Sequence, residues 1–154
     1  MKNTMITAAI IAASITVSHA TDFDNEISWI EQNTRYAETI AETSGEDYPQ
    51  VITIATDELV DMYGGEDTRG LYDRSKNVIY IADSISGVDL TGLIIHEFVH
   101  FFQHESGNSF ACPGAMEKEA YAAQFEYADQ MGSPYDADPV KLLLITQCGG
   151  ASWY

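Results

Sequence analysis

Hydrophobic positions along the chain recur with two different periods, and these divide it into helices and short strands. From Asp22 to Glu42, Ile27, Ile30, Tyr36, Ala37 and Ile40 recur near a helical period, with Gly45 and Pro49 beyond the end, and predict a first helix. Val51 to Ala55 (VITIA) and Val78 to Ala82 (VIYIA) are short, β-branched runs that predict strands. Between them, Asp57 to Tyr63 reads as a short helix or a turn, and Gly64-Gly65-Glu66-Asp67 as a loop. Leu71-Tyr72 begins a further strand, which the polar turn Asp73 to Asn77 folds onto Val78 to Ala82 as a hairpin. Val88 to Gln103 carries the strongest helical pattern, with Leu90, Leu93, Ile94, Val99 and Phe101 apolar and Asp89 or Thr91 as its cap. Pro113-Gly114 falls in the loop that follows. Met116 to Met131 is a second long helix, stopped by Gly132 and Pro134. A last short helix runs to Thr146, with Asp138 as N-cap and Pro139 at its first position. The pattern predicts an α+β fold, a short sheet with helices packed on it, without internal repeats.

The N-terminus stands apart from this pattern. Met1-Lys2 is weakly basic, Met5 to Val17 is apolar and uncharged, and Ser18-His19-Ala20 places small residues where a signal peptidase cuts. Residues 1–20 are expected to be a secretory leader, and residues 21–154 the mature domain. The apolar run is shorter than the roughly 20 residues of a membrane span. The mature protein is therefore expected in the periplasm or outside the cell, off the membrane.

Composition narrows the partners. Asp and Glu number 24 against 7 Lys and Arg, for a formal net charge of −17. Such a chain repels nucleic acid and anionic lipid, and the acids are spread as a solvated surface rather than gathered in a tail. Cys112 and Cys148 are the two cysteines. In an oxidising compartment they are expected to pair, closing a loop of about 36 residues.

The chemistry lies in His96-Glu97-Phe98-Val99-His100, an H-E-x-x-H motif inside the apolar helix. Residues four apart share one helix face, so both imidazoles can reach one cation. Zn2+ suits two neutral imidazoles, and the adjoining Glu97 is placed to take a proton from water. A buried helix also needs partners for its His and Glu, as a metal would supply. A third protein ligand is required. His104 lies two turns from His96, too far to share the ion, and reads as a surface or supporting residue. Glu105 is too close in sequence to fold back. Gln103 and Ser106 stand where a metzincin has Gly and His, which excludes that class. On the following helix, Glu117 shares a stripe with Ala120, Tyr121, Gln124 and Ala128, where small residues allow close packing. Glu119 shares a more polar stripe with Ala122, Ala123 and Glu126. Glu117 is the expected ligand, with Glu119 as the alternative.

HEFVH followed by a Glu-bearing helix resembles the gluzincin group of zinc metallopeptidases. The resemblance extends to small secreted bacterial proteins that carry HExxH-F-x-Q, a Cys-Pro, and E-x-x-A-Y-x-x-Q. The matching residues here are His96 to His100, Phe101 or Phe102, Gln103, Cys112-Pro113, and Glu117, Ala120, Tyr121 and Gln124. It spans roughly Leu71 to Gln130 and implies a small zincin-like domain cleaving peptides or proteins. It also implies that the strand before the motif helix, Val78 to Ala82, edges the cleft and pairs with an extended peptide. Some gluzincins carry an acid four residues after the ligand Glu. Tyr121 stands there instead, either supporting a ligand His or facing the substrate to assist catalysis. The alternative function is a zinc- or peptide-binding module without turnover on a peptidase-like fold.

Overall fold

The computed structural model describes residues 16–18, 23–65, 68–133 and 139–148. Its elements, in chain order, are β1 (Thr16–Ser18), α1 (Asp24–Asn33), α2 (Ala37–Glu42), β2 (Gln50–Ile54), α3 (Thr56–Tyr63), β3 (Gly70–Asp73), β4 (Val78–Ala82), α4 (Gly87–Glu105), α5 (Pro113–Gln130) and α6 (Pro139–Thr146). The fold is a small α+β domain. The four strands form one sheet in the order β1-β2-β4-β3. β2 runs parallel to β4, while β1 and β3 pair antiparallel with their neighbours.

β4 is buried along its whole length because both faces are covered. On one face Ile79 and Ile81 join Val51 and the helix α4 residues Leu93, Phe98, Phe101 and Phe102 in the main core. On the other, Val78, Tyr80 and Ala82 meet Ile54 and Leu59 of α3. This explains why VIYIA reads as an unbroken apolar run rather than an alternating one. Each fully buried Phe of α4 adds roughly 1.5–3 kcal/mol from the area it removes from water. α5 lies against α4, and the contact is close because Gly92 faces Gln124 and Tyr127. Ala120, Ala123 and Ala128 are buried on α5.

Several sequence expectations change. The helix expected over Asp22 to Glu42 is two helices, α1 and α2. Thr34 breaks it: its hydroxyl donates to the Ile30 carbonyl at 2.8 Å and accepts from the Tyr36 N–H at 3.3 Å, replacing helical bonds with side-chain ones. The sequence there holds no Gly or Pro to signal the break. Neither Asp89 nor Thr91 caps α4; both lie inside it, and Ser86 occupies the cap position without a side-chain bond. Pro113-Gly114 is not loop but the first turn of α5, where Pro needs no hydrogen-bond partner. Val78 to Ala82, expected to edge the site and pair with a peptide, is not an edge strand: β4 is enclosed between β2 and β3, and β3 is the edge. Asp138, the expected cap of α6, lies outside the described residues. So does the expected leader, apart from β1, which pairs with β2.

Cys112 and Cys148 form a disulfide with Cα atoms 5.5 Å apart. It joins the residue preceding α5 to the chain just beyond α6. The contact is tight, since a β-carbon on Gly114 would stand 2.8 Å from the Gln147 carbonyl oxygen. Among the described residues, no helix is long and apolar enough to cross a membrane.

Candidate metal centre

α4 and α5 together build the site. α4 presents His96 and His100 on one face, a turn apart, and α5 brings Glu117 across to them. The His96 and His100 Nε2 atoms are 3.2 Å apart. Glu117 Oε2 is 3.4 Å from His96 Nε2, and Oε1 is 3.4 Å from His100 Nε2. These three residues can hold a metal ion. Four tetrahedral donors with bonds of 2.0–2.1 Å stand about 3.3–3.4 Å from one another. The observed separations, with one Glu117 oxygen toward each imidazole, are therefore of the size that one cation held by the three residues requires. Neutral imidazole and carboxylate are also the donor types such a site uses. His96 is 5% exposed, yet its Nδ1 is one of two buried side-chain atoms without a hydrogen-bond partner among the described residues; Gln124 Oε1 is the other.

Charge around the triad is strongly coupled. Burial would lift the Glu117 carboxyl, but the hydrogen bonds and charges of His100 and His96 hold it well below the usual carboxylate range. Burial would likewise discharge His100, but Glu117 overrides it and pushes the imidazole up to about 9.

Glu97 is 4% exposed and points to β3. Burial raises its pKa, opposed chiefly by the nearby imidazoles and in small part by the Tyr72 backbone. The β3–β4 register, with the Ala82 N–H bonded to the Arg69 carbonyl, turns the backbone groups of Gly70 and Tyr72 away from β4. Gly70 lies against Glu97 and Leu93, so close that no side chain fits. Neither Gly70 nor Tyr72 was distinguishable in sequence, because what they touch depends on where β3 docks on α4.

The remaining candidates separate clearly. The Tyr121 ring meets the His96 ring edge-on, with centroids 4.5 Å apart, and so packs against an imidazole of the cluster. Glu119 is not at the cluster: it pairs with Arg35 at 2.9 Å and accepts from Tyr36 Oη at 2.5 Å. His104 is also apart, its ring against Tyr72.

The fold and site thus define a small α+β domain with a His-His-Glu cluster between two helices. The chain belongs to the family described as Domain of unknown function (DUF6647), which matches residues 17–152. No curated protein and no solved structure matches the chain.

Proposed function

We propose that the protein is a zinc-dependent hydrolase, a small gluzincin-like metallopeptidase acting on peptides or proteins in the periplasm or outside the cell. The observation that carries this reading is the spacing of the two imidazole nitrogens, 3.2 Å, with one Glu117 oxygen 3.4 Å from each, beside a buried Glu one residue from the first ligand. His96, His100 and Glu117 would hold the ion. When bound, zinc supplies Lewis acidity, acidifying water and polarising a carbonyl. Glu97 would take the proton from the attacking water; its raised pKa brings it nearer the value a base needs at neutral pH. Tyr121 would keep the His96 ring in place and, where its hydroxyl reaches the substrate, assist the oxyanion. Strand β3 supports a peptide substrate, because the backbone groups of Gly70 and Tyr72 turn outward beside Glu97. The disulfide supports an oxidising compartment.

One observation favours binding without turnover: the Glu97 carboxylate is nearly enclosed, only 4% exposed and close against Gly70. Glu97→Gln separates the two readings. The hydrolase reading expects chelator-sensitive peptide cleavage in the wild type, and a loss of at least about a hundredfold in the variant with zinc retained. Equal cleavage by both proteins, or none by either with zinc bound, overturns it.

A further inference from the structure

Gln103 is 1% exposed, polar, and absent from the chemistry above. Its amide uses every group it has at a specific partner. Nε2 donates to the Met116 carbonyl at 2.9 Å and to Glu119 Oε2 at 3.3 Å. Oε1 lies 2.8 Å from His100 Nδ1. The amide cannot be turned over, because its oxygen would then face a carbonyl and a carboxylate. With Gln103 Oε1 accepting from His100, Nδ1 must carry a hydrogen, and His100 Nε2 faces His96 and Glu117.

Glu119 is held in turn. Its Oε2 accepts from Tyr36 Oη at 2.5 Å and from Arg35 Nη2 at 3.1 Å, and its Oε1 from Arg35 at 2.9 Å. Arg35 and Tyr36 sit in the break between α1 and α2, and the Arg35 side chain is 53% exposed. A chain of hydrogen bonds therefore runs from the surface, through Glu119 and Gln103, to the metal-facing imidazole. His96 has no counterpart, since its Nδ1 is without a partner.

We propose that Gln103 is a positioning residue that sets the tautomer and ring orientation of His100 for metal binding, and that Glu119, clamped by Arg35 and Tyr36, sets the orientation of Gln103. This rests on the metal reading of the His96-His100-Glu117 cluster. Histidine ligands generally need such a partner on the nitrogen away from the metal, and its loss lowers affinity 10–100-fold. The chain also explains why two acids two residues apart on α5 differ: Glu117 faces the cation site, while the charge of Glu119 is spent on Arg35 and on orienting the amide.

The test compares wild type, Gln103→Leu, Gln103→Glu and the double variant Gln103→Glu/Glu119→Gln. Two readouts are taken: zinc affinity by chelator competition, and ring 15N NMR of His100 in the metal-stripped protein at about pH 10, where the imidazole is neutral. Wild type is expected in the Nδ1–H form. Gln103→Leu should shift it toward the Nε2–H form and weaken zinc 10–100-fold. Gln103→Glu keeps an acceptor at Nδ1 and should retain the wild-type tautomer. The double variant restores a donor in place of Glu119, while the Met116 carbonyl still opposes the new carboxylate, and should bind zinc more tightly than Gln103→Glu alone. An unchanged tautomer and affinity in Gln103→Leu overturns the proposal. Should that variant not fold, a Gln103→Glu protein in the Nε2–H form overturns it equally. A Gln103-dependent tautomer in a protein that takes up no zinc leaves the positioning role standing and defeats the metal reading instead.

Discussion

A β-carbon built on Gly70 would stand 2.7 Å from Glu97 Oε1 and 3.0 Å from Leu93 Cδ1. The edge strand and the motif helix thus meet at a residue without a side chain, and the Glu97 carboxylate fills the space. Gly70→Ala is expected to displace the Glu97 carboxylate from its place beside β3. Overpacking of this kind costs about 1–3 kcal/mol. Peptide-cleaving activity should fall more than tenfold while zinc content stays at the wild-type level. Parallel measurement of kcat/KM and metal content checks this, and activity within twofold of wild type would show that Glu97 does not depend on β3.

The ligand set is checked by elemental analysis. Wild type is expected to carry about one zinc per chain. His96→Ala and Glu117→Ala should each lose it, because two remaining donors cannot replace the third. Glu119→Ala should keep zinc at saturating metal, since Glu119 acts through Gln103 and does not reach the ion. Zinc retained in Glu117→Ala and lost in Glu119→Ala would reverse the two roles.

Stability of the metal-free protein should depend on pH through His100 and Glu117. The folded His100 pKa, about 9, lies above its ordinary value of 6.5. Its contribution is therefore complete below about pH 6.5 and is lost as pH rises through about 9. The Glu117 carboxyl is depressed, so its contribution is present above its ordinary value of 4.5 and is lost as pH falls below that value. From this pair, the metal-free protein should melt highest between about pH 4.5 and 6.5 and lose Tm toward pH 9. Zinc affinity should move the opposite way, rising with pH as His100 gives up its proton. Thermal melts across this range, with and without zinc, test both signs, and His100→Gln should flatten the alkaline fall.

Reducing the disulfide should loosen the base of α5. A loop of this length is worth roughly 3–4 kcal/mol in the chain-entropy description. Cys112→Ser/Cys148→Ser is expected to lower Tm by on the order of 10 °C. Because Cys112 directly precedes the helix that carries Glu117, zinc should also bind more weakly. A variant with unchanged Tm would show that α6 and the Gly114 contact hold α5 unaided.

Much of the site was legible because its central geometry is local. Two histidines four residues apart share a helix face wherever the helix lies, so His96 and His100 could be paired without coordinates. Glu117 over Glu119 was a weaker inference, drawn from the small residues Ala120 and Ala128 on its stripe, and it agrees with how closely α5 approaches α4. The cleft strand was misread. VIYIA is the more apolar strand, which places it at the centre of the sheet rather than at its edge. The short, partly polar GLYD is the one that reaches Glu97. The break at Thr34 left no mark in the hydrophobic pattern, because a hydroxyl rather than a Gly or Pro ends the helix.

Periodicity and motif spacing alone determined the two long helices α4 and α5, the hairpin and the pair of imidazoles, because these follow from backbone geometry over a few residues. Which acid joins the imidazoles, which strand covers Glu97, and how Arg35 and Tyr36 come to hold Glu119 were decided only by tertiary packing. Each of these depends on the docking of elements separated in the chain, and a shift of one residue in that docking would turn a different side chain toward the site.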